Sequence, residues 1–231
     1  MTAGAGGPDA LSPDRQLERE KQAAAEAAAG LVENDMTVGL GTGSTVAYLL
    51  PALARRSLSV RYVVTSPRTG RLAQELGLPV EAFETQRELD LVIDGADQVA
   101  PDGWLVKGGG GAHTREKIVA TAAERFVVIV DSSKTVSSLG PPVPLELLEF
   151  GLASTIRQLG PVTPRGVPRS PDGGIIADYR GPVGDPARLA DRMSATPGVV
   201  EHGLFPSELV SVIITGKRGS VEWSEVNRRR R

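Results

Sequence analysis

The chain has no cysteine among its 231 residues, which excludes disulfides, thiolate metal sites and cysteine nucleophiles. Histidine is nearly absent too. Only His113 and His202 are present, so a histidine-rich metal site is excluded. No apolar run approaches the roughly 18 residues a membrane span requires, so a membrane partner is not expected. No excess of basic charge exists either: 26 Lys and Arg stand against 28 Asp and Glu, a formal net charge of −2. A nucleic-acid partner is therefore not expected, since such proteins carry a basic face. The opening residues 1–9 lack a basic segment followed by an apolar one, so they do not read as a secretory signal. They read as part of a disordered lead over 1–16, and the chain as cytoplasmic. The basic tail at 227–231 reads as a solvated end.

What is present is an ordinary soluble composition, 40% hydrophobic and 23% charged, in a chain long enough for one large domain or two small ones. An alanine-rich stretch over 17–32 predicts a helix. Short apolar, partly β-branched runs predict strands at 36–40, 60–65, 89–93 and 126–130. Helices are expected between them, at 46–54, 71–76 and 112–124. This alternation is the signature of an α/β fold with an open, mainly parallel sheet. From about Gly140 the texture changes, with Pro141, Pro142 and Pro144 as punctuation. The stretch 151–159 reads as helix or strand, 175–179 as a strand, 186–195 as a helix and 209–215 as a strand. The pattern divides the chain into a sheet domain at 17–140 plus 207–226 and a smaller α+β insert at 141–206.

The most informative segment runs Lys107-Gly108-Gly109-Gly110-Gly111-Ala112-His113-Thr114-Arg115-Glu116-Lys117. Four consecutive glycines contribute nothing to a core, but they let backbone approach another group closely. A cation opens the run and a carboxylate lies just inside the next helix, which suits a small anionic ligand with a base beside it. Three further loops follow strands: Gly41-Thr42-Gly43-Ser44-Thr45, Asp94-Gly95-Ala96-Asp97 and Asp131-Ser132-Ser133-Lys134. In parallel sheets the ligand lies beyond the carboxyl ends of the strands, so these loops are expected to gather along one edge.

Each loop also has a plainer reading. The first fits neither the dinucleotide fingerprint nor a Walker A loop. It suits one phosphate at a helix N-terminus or, equally, a tight turn with Ser44 or Thr45 as N-cap. Asp94 and Asp97 suit paired acid–base work, but either could serve as a local backbone cap. Glu116 could be a surface acid favoured by the helix dipole. Lys107 taken alone reads as a solvated lysine, and Lys21 lies unremarked on the alanine-rich helix.

Taken in order, Gly41-Thr42-Gly43-Ser44-Thr45, Asp94-Gly95-Ala96-Asp97, Lys107-Gly108-Gly109-Gly110 and Arg115-Glu116-Lys117 resemble type A ribose-5-phosphate isomerase, over about 21–219. The resemblance implies a Rossmann-like sheet domain carrying an inserted α+β (ferredoxin-like) lid, a sugar phosphate substrate and a homodimer or homotetramer. It implies that Glu116 is the proton-transferring base, that Asp94 assists opening of the furanose ring and that Asp97 binds a sugar hydroxyl. Lys107 would lie beside the reacting oxygen. Thr42, Gly43, Ser44 and Thr45 would form the phosphate and sugar loop, with Gly95, Ala96, Gly108, Gly109 and Gly110 completing the binding surface. Lys21 would contact the phosphate, and Lys134 would be a further substrate-binding lysine.

Aldose–ketose isomerisation through a cis-enediolate fits these residue types and needs no metal or organic cofactor. Three positions depart from the family pattern. Gln98 stands where a glutamate is common, His113 where an apolar residue is usual, and Pro67 where small polar residues are common. His113 reads as a buried or interface substitution, with contact to the sugar as the alternative. Rival functions are an isomerase of another aldose phosphate and a non-catalytic sugar-phosphate sensor. The second is disfavoured by the joint presence of Glu116, Asp94 and Lys107. A DNA-binding module would also have little room ahead of the first helix.

Overall fold

The structure, a computed structural model, describes residues 12–85 and 88–227. The expected lead over 1–11 and the arginines at 228–231 lie outside the described residues. The chain begins with α1 (Pro13–Ala29), β1 (Thr37–Leu40), α2 (Ser44–Ala54), β2 (Arg61–Val64), α3 (Pro67–Glu75) and β3 (Leu89–Asp94). Next come β4 (Gln98–Val99), β5 (Leu105–Val106), α4 (His113–Thr121) and β6 (Ala123–Asp131). The segment after the prolines holds β7 (Val143–Leu147), α5 (Leu152–Leu159), β8 (Val162–Pro164), β9 (Ile175–Tyr179), α6 (Pro186–Ser194) and β10 (Val199–His202). The chain closes with β11 (Leu204–Phe205), β12 (Val212–Lys217) and β13 (Ser220–Glu225).

Six strands form the main sheet in the order β13-β12-β6-β3-β1-β2. All neighbours are parallel except β13, which turns back antiparallel to β12. The parallel strands are buried on both faces, which is why they read as continuous apolar runs rather than alternating ones. Strand β6 makes this concrete. Val127 and Ile129 pack with Ala24, Ala28, Leu49 and Leu53 of α1 and α2. Phe126, Val128 and Val130 point the other way, to Val92, Val119 and Phe205. The period of two along a strand thus divides one apolar run between two cores.

Strands β7 to β10 form a separate antiparallel sheet ordered β10-β7-β9-β8. With α5 and α6 they give the sequence βαββαβ, a ferredoxin-like arrangement. Its core is Val143, Leu145, Leu147, Ala177, Leu189 and Met193. Strands β11, β5 and β4 make a third, small sheet. Through it, the residue after β10 reaches the glycine-rich segment: Lys107 N–H donates to the Gly203 carbonyl at 2.8 Å.

Some element bounds differ from the sequence expectation, for local reasons. Helix α1 starts at Pro13, capped by Ser12 Oγ, so 13–16 are helical rather than part of a lead. Helix α3 starts at Pro67 instead of 71, because Ser66 Oγ accepts from Thr69 N–H at 3.1 Å and proline suits the first helical position. The stretch 151–159 is helical. Of 209–215, the first residue closes a 3-10 turn and the strand begins at Val212.

Candidate active site

Strands β1 and β3 are parallel neighbours, so the loops that leave their carboxyl ends lie side by side. Gly41 and Asp94 meet there. A Cβ on Gly41 would fall 1.7 Å from Asp94 Oδ1, so only glycine allows the carboxylate to tuck beneath the loop. Asp94 is 1% exposed. Its Oδ1 accepts the N–H groups of Thr42 at 3.1 Å and Gly95 at 2.7 Å, and its Oδ2 accepts Lys107 Nζ at 2.7 Å. Lys107, 2% exposed, also donates to the Gly95 carbonyl and lies 5.4 Å from the Phe205 ring centroid. The lysine that reads as solvated in isolation is locked in place.

Glu116 sits in the first turn of α4, 4% exposed. Its Oε2 is 3.1 Å from Lys107 Nζ, yet has no partner in hydrogen-bond geometry. A buried carboxylate oxygen without a hydrogen bond is expensive, and it is the natural place for a transferable proton. Burial, and then the neighbouring Asp94 charge, push Glu116 up to about 8 despite the opposing pull of Lys107. Burial pushes Asp94 upward too, against Lys107 and the two backbone donors. Burial works to lower Lys107, but Asp94 and Glu116 outweigh it and hold the ammonium above its ordinary range. The trio therefore carries one stable cation, one strongly bound carboxylate and one carboxyl poised near neutrality.

A cleft opens above this trio, lined by Thr42 and Gly43 of the loop after β1, Ser44 and Thr45 of the first turn of α2, and Gly95 and Ala96 of the loop after β3, with Asp97 beside them. Its other wall holds Lys107, Gly108, Gly109, Gly110, Glu116 and Lys134. Asp97 faces the cleft and accepts the Gly109 N–H at 2.7 Å. Gly43 caps α2 without any side-chain hydrogen bond, so neither Ser44 nor Thr45 is the cap and the first N–H groups of the helix are left for another acceptor. Thr42 Oγ1 meets the hydroxyls of Thr65 and Thr69 at 3.0 and 3.1 Å. That hydroxyl cluster escapes a sequence reading that takes 67–70 as a loop; the Ser66-Pro67 helix start is the signal that finds it.

Two expected residues do not line the cleft wall. Lys21 does not line the cleft, and its ammonium pairs with Glu18 on its own helix at 2.7 Å. Asp94 is not on the wall either, since it lies beneath Lys107. Of the family departures, Gln98 is engaged by Gly140 and does not line the cleft: its amide donates to the Gly140 carbonyl at 2.9 Å and accepts the Gly140 N–H at 2.8 Å. His113 is fully buried, with neither ring nitrogen in hydrogen-bond geometry. Burial, then Lys117, hold it down to about 4. It is a neutral packing residue beneath Gly108, whose added Cβ would fall 2.6 Å from His113 Nδ1.

A parallel α/β sheet with a carboxyl, an ammonium and glycine-loop amides at its mouth defines a class: enzymes that move a proton next to a carbonyl while holding an anionic substrate. The comparisons with known proteins make the class specific. Residues 61–219 match the family model of ribose 5-phosphate isomerase A (phosphoriboisomerase A). The chain is 44% identical over 218 residues to ribose-5-phosphate isomerase A of Methanosarcina acetivorans, covering 88% of this chain and 93% of that one. Among solved structures, ribose 5 phosphate isomerase A from Neisseria gonorrhoeae superimposes with a TM-score of 0.86 at 34% identity, covering 92% of this chain and 98% of that one. The Methanocaldococcus jannaschii enzyme gives 0.84 at 34% identity, covering 89% and 97%. The chain belongs to the ribose 5-phosphate isomerase A family.

Proposed function

We propose that this chain interconverts D-ribose 5-phosphate and D-ribulose 5-phosphate through a cis-enediolate, with Glu116 as the base. The observation that carries this reading is Glu116 Oε2, buried at the cleft and 3.1 Å from a fixed ammonium. In the open-chain aldose, the Glu116 carboxylate removes the C2 proton and the electron pair moves toward the C1 carbonyl. The charge that develops on the enediolate oxygens is balanced by Lys107 and the glycine-loop N–H groups. Glu116 then returns its proton to C1, and the O2 hydroxyl proton passes to O1. No atom leaves the sugar.

Asp94, with both oxygens engaged, acts through Lys107 by fixing its position and balancing its charge. Asp97 is the carboxylate open to a sugar hydroxyl. The uncapped N-terminus of α2, with the Ser44 and Thr45 hydroxyls and Lys134, takes the phosphate. Anchoring that end holds C1 and C2 against the base. A related solved structure, of 33% identity, is described as D-ribose-5-phosphate isomerase in complex with phospho-erythronic acid. The same four-carbon acid phosphate should occupy this cleft.

The test is ketose formation from ribose 5-phosphate by the purified protein, beside other aldose phosphates. Turnover of ribose 5-phosphate with the highest kcat/KM is expected. Folded protein that leaves ribose 5-phosphate unchanged, or prefers another aldose phosphate, would overturn the assignment.

A further inference from the structure

The glycine loop has no side chains of its own to hold it, and it must present its amides in a fixed direction. A residue of the βαββαβ segment adds a restraint to the loop's own turn bond, Gly111 N–H to the Gly108 carbonyl at 3.0 Å. Arg165 directly follows β8, and its backbone is tied to β9 through Arg165 N–H to the Ile176 carbonyl at 2.8 Å. Its guanidinium reaches back to the glycine loop: Nη1 donates to the carbonyls of Gly108 at 3.1 Å and Gly109 at 2.9 Å. The other edge is held by Asp178 of β9, whose Oδ1 accepts Nε at 3.1 Å and Nη2 at 2.6 Å. The side chains of Arg165 and Asp178 are only 18% and 9% exposed, so this is not a solvated surface pair.

The direction of those bonds matters. Across a trans peptide, the carbonyl of one residue and the N–H of the next point opposite ways. Holding the Gly108 carbonyl toward Arg165 turns the Gly109 N–H the other way, where it meets Asp97 at 2.7 Å. Holding the Gly109 carbonyl likewise turns out the Gly110 N–H, which makes no hydrogen bond within the described residues. Gly110 lines the cleft.

We infer that Arg165, oriented by Asp178, is a positioning residue that locks the Gly108–Gly110 peptide planes so that the Gly109 N–H holds Asp97 and the Gly110 N–H faces the substrate oxygens. The inference rests on the isomerase reading for its kinetic consequence, but the clamp itself is independent of it. Lysine cannot replace the guanidinium, because one ammonium cannot span two loop carbonyls and Asp178 with a planar fork. The clamp also ties the βαββαβ segment to the catalytic loop through side-chain contacts rather than through the chain connection alone.

The experiment compares wild type, R165K and the double variant R165M/D178N, the last chosen so that no buried charge is left alone. Steady-state kinetics on ribose 5-phosphate are measured beside amide hydrogen exchange. For both variants kcat should fall about 10- to 100-fold, the scale of a misplaced catalytic loop. KM should move less than about threefold, because the phosphate end is untouched. Exchange should quicken over 107–112 and stay unchanged over 123–131. Unchanged kcat with unchanged loop exchange would overturn the inference, and so would exchange that rises equally in β6, which marks general loosening. Should wild type fail to turn over ribose 5-phosphate, the functional reading falls, and the exchange comparison still decides the clamp.

Discussion

Replacing Glu116 by glutamine should stabilise the protein, and increasingly so as pH rises. In the folded chain this carboxyl is raised from its ordinary 4.5 to about 8, with burial as the main cause and Asp94 second. Between those two values the folded state holds a proton that the unfolded state has released, so stability falls as pH increases. At about 1.4 kcal/mol per pH unit, full ionisation of the buried group destabilises wild type by about 5 kcal/mol, of which about 3 kcal/mol is lost by pH 7. Glutamine has no proton to lose and leaves Lys107 its closer partner, Asp94 at 2.7 Å. Thermal unfolding of both proteins at pH 5, 7 and 9 is the assay. The glutamine variant should exceed wild type by under about 1 kcal/mol at pH 5, and at pH 7 by about 3 kcal/mol, roughly 6–12 °C in Tm for a chain of this size. The gap should be largest at pH 9. A gap that stays constant across pH, or a wild type that gains on the variant as pH rises, would refute the account of Glu116 as a buried carboxyl held protonated by its surroundings.

The same ionisation governs turnover: kcat/KM should rise about tenfold per pH unit below roughly pH 8 and level off above it, as Glu116 becomes a competent base; a profile flat from pH 6 to 9 would contradict it. Gly41→Ala places a methyl 1.7 Å from Asp94 Oδ1, so Asp94 and with it Lys107 must shift. Its kcat should drop roughly 100-fold in steady-state assays, the effect expected of a displaced catalytic group. Gln98→Glu keeps an acceptor for the Gly140 N–H but sets a carboxylate against the Gly140 carbonyl. Denaturant unfolding should report a loss of about 1–3 kcal/mol, recovered as pH falls and the carboxyl protonates, with kcat unaffected.

Much of the α/β core was legible because its strands obey one simple rule: fully buried parallel strands are unbroken apolar runs. Such a run at 126–130 predicts β6, and its two-core division follows from the pleat. The short strands are another matter. Leu105 and Leu204 belong to apolar pairs whose strand character comes from each other across about 100 residues, with Val99 joining them through Leu105, and no local pattern encodes that. Each loop of the site has a plainer reading when taken alone, and they were legible as chemistry because parallel strands bring glycine runs, hydroxyls and carboxylates to one sheet edge. Their depth was not. Whether Lys107 is solvated or locked depends on Asp94, Glu116 and Phe205 closing around it, which is a tertiary fact. Lys21 shows another limit: nothing in the alanine-rich helix signals that its ammonium pairs with Glu18, three residues away. Arg165 lay among prolines and glycines with no periodicity, so its reach to Gly108 and Gly109 had no sequence signal at all.

The most direct test of the central claim is turnover of ribose 5-phosphate by wild type and by Glu116→Gln, each shown to be folded and to bind phospho-erythronic acid. Wild type should form ribulose 5-phosphate, and the glutamine variant should lose at least about 100-fold in kcat, the lower end of what a positioned base contributes, while keeping its affinity for the acid phosphate within several-fold. A glutamine variant that binds and turns over like wild type would place the proton transfer elsewhere and contradict the account.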